Sequence, residues 1–111
     1  MDFAERAARN EEAFREINAR IEDGARQHGV DTPLPFHCEC DDAGCVEKID
    51  IRPSEYERVV AHRYRFVLIP GHEDALVERV VDRRDAYIVA EKIGEAREQL
   101  ERDHPQERHR T

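Results

Sequence analysis

A chain of 111 residues with 40% charged residues and a formal net charge of −8 is, by length, one small and strongly acidic domain. That balance excludes general nucleic-acid binding, which needs a basic face for the phosphates; a local group such as Arg79, Arg83 and Arg84 reads as a solvated turn. Ile, Leu, Val and Phe fill 24 positions, so the core is thin and a metal or a partner subunit has something to stabilise.

The N-terminus MDFAERAARN is polar and acidic and lacks the apolar centre of a signal peptide. No apolar run approaches the ~18 residues of a membrane span, so a cytoplasmic setting without membrane contact is expected. Residues 1–28 read as one amphipathic helix. Phe3, Ala7, Phe14, Ile17 and Ile21 recur on a single stripe. Glu5–Arg9, Glu11–Arg15, Glu16–Arg20 and Glu22–Arg26 form i,i+4 pairs expected to lace its outer face. Gly24 or Gly29 can end it, and Pro33 forbids its continuation.

After the linker GVDTPLP the period changes. FHCEC and VEKIDIR read as short strands around the turn-forming DDAG. PSEYERVVAHR opens a helix in which Ser54 and Glu57 match a capping box. RFVLIPG is a strand stopped by Pro70 and Gly71. VERVVD and AYIVAEK suggest a closing hairpin, although the first also fits a helical turn, and GEAREQLERD is a short helix. The expected fold is α+β: a small antiparallel sheet of about four to five short strands, with a long N-terminal, a middle and a short C-terminal helix. Residues 34–103 form the single α+β domain, stabilised by a zinc knuckle, and 104–111 a polar tail.

All three cysteines fall within FHCECDDAGC. An odd, clustered set without an export signal is a poor disulfide framework and a better metal site. On an extended segment Cys38 and Cys40 point to one face, about 6.6 Å apart. DDAG reverses the chain, and a positive φ at Gly44 is expected to return Cys45 to the same side. Structural zinc takes four ligands, so one is missing. His28, His104 and His109 lie at helix or chain ends, His62 is late in the middle helix, and His37 points away from Cys38. His72, on the Pro-Gly turn of IPGHE, is the preferred fourth ligand; His37, a carboxylate (Glu39, Asp41, Asp42) or water are the alternatives. The three acids are expected to raise the thiol pKa values unless a cation is present.

The order FHCEC…C…EYERV…RFVLIPGHE…ERVV…YIVAEK resembles a family of small uncharacterised actinobacterial proteins with an F-x-C-E-C knuckle, a third cysteine and a later P-G-H-E. The resemblance spans about residues 10 to 95. It implies that Cys38, Cys40, Cys45 and His72 belong to one constellation and brings no activity with it. The CDGSH iron–sulfur proteins also carry C-x-C, a third cysteine and a histidine, but with spacings this chain does not share. No Ser-His-Asp set, phosphate loop or H-E-x-x-H occurs. The sequence therefore reads as a non-catalytic, zinc-stabilised interaction or regulatory module, its N-terminal helix meeting a protein partner or a second copy. The alternatives are a redox sensor that releases zinc on oxidation and, behind it, an iron–sulfur protein or an enzyme using Glu73 as base.

Overall fold

A computed structural model describes residues 3–103, with side chains over 9–102. Eight elements follow one another: α1 (Phe3–Gln27), β1 (Leu34–His37), β2 (Lys48–Ile51), α2 (Pro53–Val60), β3 (Arg65–Leu68), β4 (Glu78–Arg83), β5 (Ile88–Lys92) and α3 (Gly94–Asp103). This is the expected α+β arrangement, with the five strands divided between two antiparallel sheets. One pairs β1 with β2, and the other has the order β3-β5-β4. VERVVD is a strand, closed onto β5 by the Arg84–Tyr87 turn (Arg84 N–H to Tyr87 O, 2.8 Å).

Alternation decides which side chains enter the core. In β2, Ile49 and Ile51 are buried while Lys48 and Asp50 are exposed. They join Phe36, Tyr56, Phe66, Val67, Leu68, Ile88, Val89, Ala90 and Leu100 in one core, with Phe36 and Tyr56 stacked at 4.6 Å. The three cysteines are buried at the edge of this cluster.

α1 runs through Gly24 and ends in a Schellman motif: Gly29 has φ 65°, Val30 N–H bonds Ala25 O (2.8 Å) and Gly29 N–H bonds Arg26 O (3.3 Å). Its inward face departs from the expected apolar stripe. Glu11, Asn18, Glu22 and Ala25 are buried, Phe14, Arg15 and Ile21 are half-buried, and Ile17 is 44% exposed. Of the expected i,i+4 pairs, Glu22–Arg26 forms (2.6 Å). Glu11 and Arg15 turn inward instead, where partners are shielded from water: Lys92 for Glu11, and the carbonyls of Arg63 (2.7 Å) and Val60 (3.0 Å) for Arg15. Phe3, Ala7 and Glu5 have side chains outside the described residues.

The capping box at Ser54 is absent. Pro53 sits at the first helical position with Arg52 as N-cap, so Ser54 already lies inside the first turn. Asp31 takes over from the linker: its Oδ1 accepts Ser54 N–H (2.8 Å) and its Oδ2 accepts Ser54 Oγ–H (2.7 Å). These bonds hold the Asp31 carboxyl below its ordinary range.

Candidate metal centre

β1 stops at His37, but its ladder runs one residue further, because Cys38 N–H bonds Glu47 O (3.0 Å). The backbone stays extended enough to alternate. Cys38 and Cys40 face one side, and His37 and Glu39 the other. DDAG then turns back with an Asx turn, in which Asp42 Oδ1 accepts Gly44 N–H (2.9 Å) and Asp42 O accepts Cys45 N–H (3.0 Å). Gly44 does not adopt the expected positive φ, since the Asp42 side chain makes the reversal by hydrogen bonding.

The left-handed glycine sits on the opposite loop. Ile69-Pro70-Gly71-His72 is a turn closed by His72 N–H to Ile69 O (2.9 Å), with Pro70 second and Gly71 (φ 95°) third. That is the residue order a type II turn requires. It follows β3 directly, so a rigid strand and a tight turn carry the imidazole to the sulfurs. His72 Nδ1 lies 3.6 Å from Cys38 Sγ and 3.7 Å from Cys45 Sγ. The four donor atoms of Cys38, Cys40, Cys45 and His72 all fall within 4.8 Å of one another. In a tetrahedron with metal–sulfur and metal–nitrogen distances of about 2.3 and 2.05 Å, the sulfur–nitrogen edge is about 3.6 Å. The cluster can hold a metal ion.

The other candidate ligands are engaged elsewhere. His37 stacks on Phe14 (4.0 Å), and its Nδ1 lies 2.5 Å from Cys38 O. Asp42 is committed to the Asx turn. Asp41, pushed up to about 6 first by burial and then by the carboxyl of Asp74, pairs with Asp74. Glu73 accepts Gly71 N–H (2.8 Å), which ties it to its own turn. His62 is remote on the segment after α2, and His104 and His109 lie outside the described residues.

Glu39 is fully buried between the two ligands of the C-x-C pair and acts as a rivet between the sheets. Its backbone N–H bonds Val67 O (2.7 Å) while its Oε1 accepts Val67 N–H (2.9 Å). Its Oε2 accepts Tyr56 O–H (2.5 Å) and Asn18 Nδ2–H (2.9 Å). Burial still wins over these donors and raises its pKa.

Among the sulfurs, Cys40 is lowered to about 5, first by a hydrogen bond from Cys38, and Cys38 is raised, first by the same bond and then by burial. Burial also raises Cys45. The leading causes are thus the neighbouring sulfurs and desolvation rather than the flanking acids, of which Glu39 faces the other side. Filling the site must expel whatever thiol protons remain there. Ile69 N–H, directed at Cys38 Sγ (3.2 Å), adds a donor that favours the thiolate.

Sequence reasoning missed Asn10 and Asn18, which hold this loop from α1. Asn10 Nδ2–H reaches Asp41 O (2.7 Å); Asn18 accepts His37 N–H (2.7 Å) and donates to His37 O (2.8 Å). The available signal was two asparagines, poor helix formers, in the interior of a helix otherwise rich in Ala, Glu and Arg.

Comparison with family models, with curated proteins and with solved structures finds no match for this chain. Among the described residues no helix is long and apolar enough to cross a membrane.

Proposed function

We propose that this protein is a zinc-stabilised interaction or regulatory module without catalytic activity, related to the small actinobacterial family whose P-G-H-E it resembles. The observation that carries the reading is the placement of His72 Nδ1 at 3.6 and 3.7 Å from two cysteine sulfurs of a separate loop. Three thiolates and an imidazole gathered within 4.8 Å of one another are a donor set suited to zinc, and four protein ligands leave no open position for a substrate. A cluster of two or more irons spreads its ligands wider than the 4.8 Å seen here. A redox sensor requires oxidant to reach the thiols, and Cys38, Cys40 and Cys45 are only 0%, 1% and 8% exposed.

The interaction surface in this reading is the outer face of α1, where Arg9, Glu16, Arg20 and Asp23 are exposed together with Ile17. Elemental mass spectrometry of protein made in zinc-supplemented medium tests the metal. The expected result is about one zinc per chain, lost or weakened in Cys45→Ala and in His72→Ala. Zinc-free protein with three titratable thiols overturns it. Sedimentation of the wild type and Ile17→Glu tests the surface: self-association is expected to disappear in the variant with melting unchanged. A wild type that is monomeric at every concentration moves the reading to a heterologous partner.

A further inference from the structure

We propose that docking of α1 and occupancy of the metal centre are thermodynamically linked, with Asn18 the positioning residue that carries most of the link. The proposal rests on the reading that Cys38, Cys40, Cys45 and His72 hold an ion. α1 grips the ligand loop at every second residue. Phe14 stacks on the His37 ring (4.0 Å). Asn18 pairs with both backbone groups of His37 (2.7 and 2.8 Å) and with the Glu39 carboxylate (2.9 Å). Asn10 takes Asp41 O (2.7 Å). The residues between, Cys38 and Cys40, supply sulfur to the centre. Each of these two ligands is therefore flanked on both sides by a residue that α1 holds, and one extended segment serves both faces.

The chemistry of the α1 face makes release feasible. Its buried members are Glu11, Asn18, Glu22 and Ala25, with the half-buried Asn10 and Arg15 also spent on polar partners. Polar groups regain water on leaving, so each such bond contributes far less to docking than its gross strength. Lys92 keeps Glu78 as a partner (2.6 Å) when Glu11 departs. An ion that fixes residues 38–40 presents the backbone of 37–41 in the geometry the two asparagines require. Without the ion, the loop loses its four-point tie and the helix its template. Linkage makes the effect reciprocal: whatever factor the metal adds to docking, docking adds to metal affinity.

The test uses the full chain. Hydrogen exchange is compared with zinc bound and after chelation, and cobalt(II) is titrated by its visible absorption into wild type, Asn18→Ala, Asn10→Ala and the exposed control Gln27→Ala. Chelation is expected to raise exchange across α1 while β3 and β5 keep their protection. Asn18→Ala is expected to bind cobalt about tenfold more weakly, Asn10→Ala severalfold more weakly, and Gln27→Ala like wild type. If Asn18→Ala does not fold, Asn10→Ala, which loses one half-buried bond, decides the matter. Wild type that binds cobalt stoichiometrically, with Asn10→Ala unchanged and α1 exchange insensitive to chelation, overturns the linkage alone. Wild type that binds no cobalt overturns the metal reading and the linkage with it.

Discussion

Lys92 is buried with two carboxylates, Glu11 and Glu78, and all three side chains are out of water. Two acids and one base cannot all ionise there without a net buried charge. Burial is the largest influence on Glu11; Lys92 opposes it, Glu78 reinforces it, and the Glu11 pKa ends well above the ordinary carboxylate range. The sign of the linkage follows. The folded chain holds this proton more tightly than the unfolded one, so stability from this group falls as pH rises from the unfolded value, about 4.3, through the folded one. Glu11→Gln removes that dependence while keeping an oxygen for Lys92. Urea unfolding at several pH values between 4 and 7 is expected to show the variant gaining on wild type as pH rises. Parallel stability curves would contradict the protonated Glu11. At this scale the site was legible and its support was not. Cysteine spacing and strand alternation bring Cys38 and Cys40 together and turn His37 away, because both are local rules. Glu11, Arg15 and Asn18 were hidden because apolar periodicity gives no weight to polar side chains that dock on polar partners.

Turns and helix ends divide in the same way at the scale of elements. Gly29 ends α1 by a local αL motif, and the IPGH turn can be read from Pro70 and Gly71 alone. The Asp31 cap cannot, since the carboxylate lies 23 residues before Ser54. The two glycines beside the centre make a direct contrast. Gly71 holds φ 95° with open space around its Cβ position, so Gly71→Ala meets only backbone strain. The expected cost is about 1–2 kcal/mol, together with weaker metal binding because His72 is displaced. Gly44 has no positive φ, and an added Cβ meets Asp42 Oδ1 at 3.4 Å, an ordinary contact. Gly44→Ala is therefore expected to melt and bind metal like wild type. Denaturant unfolding and metal titration of the pair check both expectations, and a Gly44 variant worse than the Gly71 variant contradicts the assignment of the turns.

For the molecule as a whole, composition pointed to one domain with a thin core and the order of predicted helices and strands to an α+β fold, and the hairpins could be read from their alternation and turns. Their division into two sheets, which Glu39 bridges at Val67, could not, because it depends on pairing between distant segments rather than on any repeat in the chain. The candidate metal centre lies at the same junction. Cys38, Cys40 and Cys45 come from the β1–β2 connection and His72 from the turn after β3, so an ion held there would tie the two sheets. Its binding energy would then be folding energy. X-ray absorption of the metal-loaded protein measures whether the site is closed by three sulfurs and one nitrogen. The expected coordination is three sulfurs at about 2.3 Å and one nitrogen at about 2.0–2.1 Å. Fewer than three sulfurs, or an added oxygen from water or a carboxylate, would contradict it.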